Sequence, residues 1–405
     1  MNKPIKIGLL LNEPPVAEKS APARSHEAIT RIFAASLSPT GVSSHEIDFT
    51  TILMNSTDVA KDLAQCRSIY PNLVDRFQLF ELYGRRPLSS KIANRLWPMS
   101  FHASNKMKRA VRALFQQNTI DILHVEQAWM AYALPRSFDP NRVLLSLQYL
   151  LETDMAAASA AESFAEKIRR KRLLQAERRL IRRCRYFRVL SAEMAETLRK
   201  IHPSAEIHVV PLAIDADSYE FWPRQTPENP VVSVIGSMYW PPSRSAAERM
   251  IHRLWPAIHA AIPAARLKIV GRNAMQYFAE FQGRDSIEIY ENVPDITPFF
   301  RQSNLLVYAP SAGSGMKVKV QESMLQGLPV LTNSSGIEGL AAKSGHDCLI
   351  AETDEDFIRQ SILLLSNPEL SQQIAGNARQ LIETQCDPSR VFNQLKSVYS
   401  QIYAK

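Results

Sequence analysis

Glycine, cysteine and long apolar runs are all scarce in this sequence. Glycine accounts for 13 of 405 residues, against about 7% in an average protein, so glycines that stand close together indicate a backbone requirement. The four cysteines have neither a metal-binding nor a redox spacing, which argues against a disulfide framework and favours a reducing cytosol. No apolar run is long enough for a transmembrane helix, and the apolar start "IKIGLLL" (5–11) predicts a first strand rather than a signal peptide.

The overall composition is that of a globular protein. Hydrophobic residues make up 45% of the chain and charged residues 22%, which argues against disorder. A chain of 405 residues is also long enough for two domains with separate cores. We therefore expect a two-domain protein of the cytoplasm.

Positive charge is concentrated in one segment of this chain, whose formal net charge is +8. The segment "EKIRRKRLLQAERRLIRRCRYFR" (166–188) places an arginine at nearly every turn of a predicted amphipathic helix. One interpretation is a solvated helix face. The other is a surface attracted to anionic lipid headgroups, which contributes about 1 kcal/mol per basic residue. Nucleic acid is not favoured as a partner, because no recognition motif with interleaved aromatic residues accompanies the charge.

Short apolar runs alternate with longer helical patterns, which predicts an α/β protein with parallel sheets and helices on both faces. The predicted strands are 5–11, 46–54, 121–127, 142–148, 186–191, 207–212, 231–237, 266–272, 287–293, 305–311, 328–334 and 347–352. A polar, proline-rich stretch at 215–230 predicts a linker. The pattern therefore predicts two doubly wound domains, with ligands at the carboxyl ends of their strands and in the cleft between the domains.

The segment "APSAGSGMKVKVQESMLQGLPVLTNS" (309–334) follows a predicted strand with a glycine loop and then a helix that ends at Gly327. Glycines allow main-chain N–H groups to approach an anion, and the helix N-terminus and Lys317 and Lys319 add positive charge. Glu322, about one turn further on, is placed to bind a sugar hydroxyl pair beside that anion. The alternative is a surface ion pair between Lys319 and Glu322, worth a few tenths of a kcal/mol.

From Val231 to Ala351 the sequence resembles the carboxyl-terminal domain of the GT-B-fold glycosyltransferases of family 4. The resemblance is carried in order by "VVSVIGSMYWPPSRSAAERMIHRLWPAI", "ARLKIVGRNA", "IEIYENVPDITPFFRQSNLLVYAP" and "GSGMKVKVQESMLQGLPVLTNSSGIEGL". It implies a GT-B fold, with two Rossmann-like doubly wound domains facing each other across a cleft. The predicted domains are an acceptor domain at 1–214, a nucleotide-sugar domain at 215–385 and a helix at 386–405 that packs back toward the first domain.

The resemblance also implies roles for individual residues of the donor site. Lys317 and Lys319 are expected to contact the donor diphosphate and to act in catalysis, and Glu322 is expected to hold the ribose. The remaining donor-binding predictions are the phosphate-capping backbone of Gly313, Ser314, Gly315 and Met316, the base-contacting turn at Val293, and the pocket residues Gly236, Ser237 and Arg272.

Four residues of the first half are further candidates. His124, at the end of a predicted strand, is expected to hydrogen-bond the donor sugar as a catalytic residue, or else to be an ordinary buried histidine. Arg24 and His26, in a predicted loop after the first strand, are candidates on the acceptor side. Glu126 is expected either to orient the acceptor or to pair with an arginine.

The sequence departs from the family pattern at two places near the proposed site. The family motif of two glutamates eight residues apart keeps only Glu322, since the earlier position is Ser314. The paired glycines that usually follow a proline pair near the N-terminus are absent after Pro14 and Pro15. Because that loop lies between donor and acceptor in the family, the second departure concerns acceptor chemistry.

The resulting expectation is a retaining, metal-independent hexosyltransferase that needs no cofactor. Its donor is expected to be a UDP or GDP sugar, and its acceptor a glycan or lipid-linked molecule of envelope polysaccharide synthesis. We expect it in the cytoplasm, with the basic helix making it peripheral to the inner face of the membrane. Two alternatives remain, a sugar-nucleotide epimerase on the same fold and a non-catalytic glycosyltransferase-like subunit.

Overall fold

The computed structural model describes residues 3–16, 21–35, 37, 46–82, 97–156, 163–223 and 228–405. The chain divides into two compact units, each described here by itself. The first unit contains Met1–Leu151, Ala161–Ile214 and Pro388–Lys405, and the second contains Glu152–Ala160 and Asp215–Asp387. This division differs from the predicted boundaries in two places, because Glu152–Ala160 joins the second unit and the last segment of the first unit begins at Pro388.

A parallel sheet of seven strands forms the first unit, in the order β3-β2-β1-β4-β5-β6-β7. The strands are β1 (Ile5–Leu11), β2 (Ile47–Ser56), β3 (Phe77–Glu81), β4 (Ile122–Glu126), β5 (Val143–Leu147), β6 (Tyr186–Val189) and β7 (Glu206–Val209). The helices are α1 (Ala21–Ala35), α2 (Val59–Ile69), α3 (Asn105–Gln116), α5 (Phe164–Ile181), α6 (Ala192–Ile201) and α15 (Pro388–Tyr403). The short helix α4 (Leu151–Asp154) begins at the last residue of a first-unit segment, and its other residues belong to the second unit. The central strands β4 and β5 are buried along their whole length, as expected when helices cover both faces of a parallel sheet.

The last helix, α15, completes the core of the first unit. Its side chains Val391, Phe392, Leu395 and Tyr399 are buried in the same apolar cluster as residues of β1, β2 and α1. Phe392 and Tyr399 both meet Phe49 edge to face. The helix therefore belongs structurally to the first unit, although it follows the second unit in sequence.

A parallel sheet of six strands forms the second unit, in the order β10-β9-β8-β11-β12-β13. The strands are β8 (Val231–Ile235), β9 (Arg266–Val270), β10 (Ile287–Tyr290), β11 (Leu305–Tyr308), β12 (Val330–Thr332) and β13 (Leu349–Ile350). The helices are α7 (Pro241–Arg249), α8 (Trp255–Ala261), α9 (Ala274–Phe278), α10 (Thr297–Gln302), α11 (Val318–Leu325), α12 (Ser334–Ile337), α13 (Asp354–Ser366) and α14 (Pro368–Gln385). Both sheets thus have the strand order of a Rossmann-like fold, which confirms the predicted α/β class.

Three details differ from the sequence-based expectation. Strand β3 was not predicted, because it lies at the edge of its sheet and buries only Phe77. Arg24 and His26 lie on α1 and not in a loop, since Pro22 stands in the first turn, where proline is compatible with a helix. The basic segment 166–188 is helical only as far as Ile181, and Tyr186–Val189 form β6, in agreement with the strand predicted at 186–191.

The predicted linker at 215–230 packs on the second unit where the structure describes it. The main-chain N–H of Trp222 donates to the carbonyl of Gln326 at 3.3 Å. The guanidinium of Arg379 lies 5.8 Å from the ring centre of Phe221 and donates to the carbonyl of Tyr219 at 3.0 Å. This stretch is therefore part of the second unit and not a free connection.

All four cysteines are buried as free thiols, and burial raises the pKa of Cys184, Cys348 and Cys386 to about 12. These thiols are protonated at neutral pH, which makes them unreactive. Within the described ranges, no helix combines the length and the apolar character needed to span a bilayer.

Candidate functional site

The candidate site of the second unit lies at the point where the strand order of its parallel sheet reverses, between β8 and β11. Strands β8 and β11 are neighbours in the sheet but distant in sequence, and helices follow both strands. Ligands of such sheets bind outside the carboxyl ends of these two strands. The turn after β8 holds Gly236 and Ser237, and the loop after β11 holds the glycines and lysines of 313–319. The fold therefore brings together two segments that the sequence separates by about 80 residues.

Gly236 and Gly271 allow the turns after β8 and β9 to touch. Gly236 has a φ of +154° and Gly271 a φ of +149°, which L side chains rarely adopt. A Cβ on Gly271 would lie 1.8 Å from the carbonyl oxygen of Gly236, and a Cβ on Gly236 would lie 2.5 Å from Lys319 Nζ. Gly236 thus provides the space into which the Lys319 ammonium projects, and Gly271 allows the turn after β9 to approach Gly236.

Lys319 is a partly buried lysine of α11. Its Nζ donates to Ser243 Oγ at 2.6 Å and lies 4.2 Å from the ring centre of Tyr308. Burial and the nearby charge of Lys317 lower the pKa of Lys319 to about 7, while Glu322 acts in the opposite direction. The surface ion pair between Lys319 and Glu322 considered from the sequence is not what the structure contains.

The glycine loop already binds carboxylates through two of its main-chain N–H groups. Ser314 N donates to Asp154 Oδ1 at 2.6 Å, and Gly315 N donates to Glu338 Oε1 at 3.0 Å. Lys317 Nζ lies 3.8 Å from Glu338 Oε2 and donates to the carbonyl of Gly315. Two main-chain N–H groups of the loop thus bind carboxylates of the protein itself, and the binding of a diphosphate by this loop stays a prediction.

Glu322 lies on α11, about one turn beyond Lys319, and is 5% exposed. Tyr219, from the predicted linker, donates through its hydroxyl to Glu322 Oε1 at 3.0 Å. Because a buried carboxylate requires hydrogen-bond donors, Tyr219 stabilises Glu322 in the protein without ligand.

The other donor-side candidates lie along the same edge of the sheet. Arg272 is exposed at the end of β9, and its carbonyl accepts from Met238 N at 2.8 Å. Val293 is half-buried in the turn after β10, two strands away from β8. Gly313 and Met316 are buried in the loop, and a Cβ on Gly313 would meet Pro242 at 3.3 Å.

The first-unit candidates His26, His124 and Glu126 form one buried cluster. Glu126 lies 3.3 Å from His124 Nε2, 3.8 Å from His26 Nδ1 and 3.4 Å from Arg188 Nη1. His124 Nδ1 also lies 2.6 Å from the Tyr399 hydroxyl of α15. Of the two interpretations of Glu126, the structure therefore contains the ion pair with an arginine.

The charges of this cluster are balanced internally. Burial raises the pKa of Glu126, but the combined effect of His26, His124 and Arg188 lowers it by more. The pKa of Glu126 therefore lies below its ordinary range. Burial lowers the pKa of His26, so its ring is neutral at pH 7. The cavity among these side chains has a volume of about 20 Å³, which is room for a water molecule and not for a sugar. Arg24, on the same helix as His26, is half-buried.

Sequence reasoning missed three residues of the second-unit site. Asp154 and Glu338 bind the glycine loop, and Tyr219 binds Glu322. Asp154 and Tyr219 are 160 and 103 positions away from their partners, so no local spacing links them. Glu338 belongs to the quoted segment "GIEGL", which follows the predicted strand at 328–334. Its position after the strand next to β11 could have indicated that it lies near the glycine loop.

Comparison with protein families gives two matches that together cover most of the chain. Residues 229–367 match the model described as "Glycosyl transferases group 1", and residues 52–218 match the model described as "Glycosyltransferase Family 4". A search of curated proteins finds no match.

Comparison with solved structures finds proteins of the same fold at low sequence identity. Sucrose-phosphate synthase from Thermosynechococcus elongatus is 15% identical with a TM-score of 0.69, covering 99% of both chains. Anabaena HepE in complex with UDP-glucose is 13% identical with a TM-score of 0.63, covering 98% of this chain and 100% of that one. WaaG, a glycosyltransferase involved in lipopolysaccharide biosynthesis, is 13% identical with a TM-score of 0.61, covering 98% of this chain and 99% of that one.

Proposed function

Because the chain belongs to the nucleotide-sugar glycosyltransferases of the group 1 and family 4 type, with a GT-B fold, we propose that it is a retaining enzyme that transfers a sugar from UDP or GDP without a metal ion. The observation that carries this proposal is the meeting of the glycine loop, Lys317 and Lys319 with the Gly236 turn at the switch point of the second sheet. Such a site binds the diphosphate of a nucleotide sugar. Retention of configuration rests on the family resemblance.

The order of the candidate residues matches the order of groups in the donor. Val293 follows β10 and Arg272 follows β9, whereas Gly236 follows β8 and the lysines follow β11. Strands are about 4.8 Å apart, so the turn at Val293 lies about 14 Å along the edge from the loop after β11. This distance suits a base at Val293 and a diphosphate at the lysines, and the ribose is assigned to Glu322, about one turn further along α11.

The chemistry proposed for the lysines is stabilisation of the leaving diphosphate. Negative charge accumulates on the diphosphate as the bond to the sugar breaks, and fixed cations in a partly buried site lower the energy of that state. Lys317 lies just before α11 and Lys319 lies in its first turn, where the helix dipole adds to their positive charge. These groups can act without a cation, which is the basis for proposing metal independence.

The thermal shift of the protein with nucleotides and nucleotide sugars tests the proposed function. A ligand at about a hundred times its Kd adds about 2.7 kcal/mol to the free energy of unfolding. We expect one base, uracil or guanine, to raise the Tm as diphosphate and as diphosphate sugar. No shift with any of them would contradict the proposal, and donor hydrolysis or transfer by the bound sugar would exclude the non-catalytic subunit. Epimerised sugar as the product would instead identify the epimerase.

We expect Glu322→Ala to weaken binding of the nucleotide sugar by about 1 to 3 kcal/mol, because the ribose hydroxyls lose a charged acceptor. Tyr219→Phe is the matched control, since it removes the hydroxyl that binds Glu322 but keeps the carboxylate. We expect the control to change affinity much less. Calorimetry with the two variants checks this, and equal affinities for Glu322→Ala and the wild type would refute the ribose assignment.

We expect donor binding to take up a proton at pH 8. The pKa of Lys319 is about 7 in the free protein, so most of its ammonium is deprotonated at pH 8. A bound diphosphate raises that pKa, because negative charge favours the ammonium. Affinity should therefore fall as the pH rises above about 7, and below that pH the uptake should vanish.

Proton uptake is measured by calorimetry at pH 8 in two buffers with different ionisation heats, such as Tris and phosphate. We expect the apparent binding enthalpy to differ between the buffers for the wild type and to agree for Lys319→Met. Identical enthalpies for the wild type would show that Lys319 does not change its charge.

The acceptor and its location are proposed from the first unit. Helix α5 begins with more than two turns of mainly exposed side chains. Among them, Phe164 is 80% exposed and Ile168 is 40% exposed, and Lys167, Arg169 and Lys171 are also exposed. Exposed apolar side chains among cations suit a surface that binds anionic lipid headgroups. We therefore propose a lipid-linked or glycan acceptor of envelope polysaccharide synthesis, at the inner face of the membrane. Involvement of WaaG in lipopolysaccharide biosynthesis agrees with this proposal.

We expect the protein to sediment with vesicles that contain anionic lipid and not with neutral vesicles, and added salt should release it. Arg169→Glu with Lys171→Glu should abolish sedimentation. The control Arg199→Glu with Lys200→Glu makes the same charge change on the exposed end of α6. Equal loss in both variants would mean that net charge, and not α5, determines binding.

A further inference from the structure

We propose that Asp154 is the carboxylate that recognises the donor sugar in this protein, and that it supplies the acidic group missing at Ser314. This inference rests on the proposed function, because it assigns a role within the nucleotide-sugar site. Asp154 lies at the end of α4 and belongs to the second unit together with the glycine loop.

The first step of the argument is the contact between the two residues. The main-chain N–H and the hydroxyl of Ser314 both donate to Asp154 Oδ1 at 2.6 Å. Asp154 is 1% exposed and Ser314 is 7% exposed. The small serine side chain at this loop position thus leaves room for a carboxylate that comes from a distant segment.

The second step is the acceptor capacity that Asp154 retains. Ser314 makes both bonds to Oδ1, and no described residue donates to Oδ2. A carboxylate oxygen that receives no hydrogen bond from the protein keeps its capacity to accept one from a ligand. Sugar hydroxyl groups are such donors, and their hydrogen bonds to an ionised carboxylate are strong.

The third step is the order of charges along the site. Asp154 interacts electrostatically with Lys317 and Glu338, whereas Lys319 interacts with Glu322. Along the loop and α11 the order is therefore Asp154 on Ser314, then the two lysines, then Glu322. A nucleotide sugar has the same order, with a diphosphate between two groups that carry hydroxyls. If Glu322 binds the ribose, Asp154 is placed at the sugar end.

The charge state of Asp154 is consistent with recognition of a sugar. Burial raises the pKa of Asp154 to about 6, and Glu338 raises it as well, while Ser314 and Lys317 lower it. The carboxylate is therefore ionised at pH 7, although it is buried. Asparagine would make the same bond to Ser314 without the desolvation penalty, so a purely structural contact does not require the charge.

The experiment compares the affinity for a nucleotide with the affinity for its sugar conjugate. UDP with UDP-glucose is the first pair, and GDP with GDP-mannose is used instead if the wild type binds guanine. Asp154→Asn keeps the side-chain shape and an oxygen that accepts from Ser314. We expect it to weaken binding of the sugar conjugate by about 10- to 100-fold and to leave affinity for the nucleoside diphosphate within about twofold.

Glu338→Gln is the matched control, because Glu338 binds the neighbouring N–H of the same loop and lies beside Lys317. We expect it to change affinity for the nucleotide and for its sugar conjugate by the same factor. Equal changes for both ligands in Asp154→Asn, or no change for either, would overturn the inference and leave Asp154 as a structural contact of the loop.

If Asp154→Asn does not fold, Ser314→Ala decides, since it removes one of the two bonds that place the carboxylate. A selective loss of affinity for the sugar conjugate would support the inference, and an equal or absent loss would overturn it. Failure of the wild type to bind any nucleotide refutes the proposed function itself. That outcome is distinct, because it appears before any variant is made.

Discussion

The double variant Lys317→Met and Lys319→Met is expected to fold normally and to lose turnover by about 10²- to 10³-fold for each lysine that contacts the leaving diphosphate. Methionine retains most of the apolar stem and removes the charge. Since charge on the diphosphate is greatest in the transition state, turnover should fall more than donor affinity does. The measurement is the rate of donor hydrolysis or transfer at saturating donor, with affinity measured separately.

The structure provides a control for this experiment. Lys343 is an exposed lysine of the same unit, so Lys343→Met removes a charge away from the loop and should leave turnover unchanged. Loss of Lys317 also removes a partner of Glu338, so the Tm of the double variant must be recorded. Turnover at the wild-type rate in a folded double variant would show that the lysines do not act on the diphosphate.

The second large effect is expected for Gly271→Ala. The new Cβ would lie 1.8 Å from the carbonyl oxygen of Gly236, and the φ of +149° would remain strained for alanine. Overpacking and backbone strain together should lower the free energy of unfolding by about 2 to 5 kcal/mol. Urea unfolding checks this, and the same variant should lose donor affinity because the turn beside Lys319 must move.

Gly376→Ala is a control within the same unit, for which we expect a stabilising effect instead of a destabilising one. Gly376 lies in α14, and a Cβ there would have no neighbour within 4 Å. Alanine should therefore stabilise the helix by about 0.5 to 1 kcal/mol. Similar destabilisation by both substitutions would mean that the contact between the two turns is not the cause.

The sequence predicted the architecture well, because buried parallel strands appear as continuous apolar runs. Strand β4 contains "ILHVE" and β11 contains "LLVY", and helical patterns separate such runs. The edge strand β3 lacks this signal, since most of its side chains are not buried. The glycine loop was also predictable, because glycines and lysines at the end of a strand have a direct chemical meaning.

The contacts around the loop could not be predicted in the same way. Asp154 binds Ser314 and Tyr219 binds Glu322 through the folded chain, and a single sequence does not indicate which distant residues meet. Likewise, Glu126 was a plausible acceptor-side residue until burial beside Arg188 became visible. Most features of the site that could not be predicted thus depend on which side chains are buried and on which residues distant in sequence come into contact.

The place of α15 in the first unit has a consequence for the order of folding during synthesis. The ribosome makes residues 215–387, which complete the second unit, before it makes the helix that contributes Phe392 and Tyr399 to the first core. The second unit can therefore fold on the ribosome while the first still exposes the apolar surface that α15 later covers. Nascent chains arrested before residue 388 should accordingly bind chaperones through the first unit, because domains with incomplete cores are those that associate and misfold.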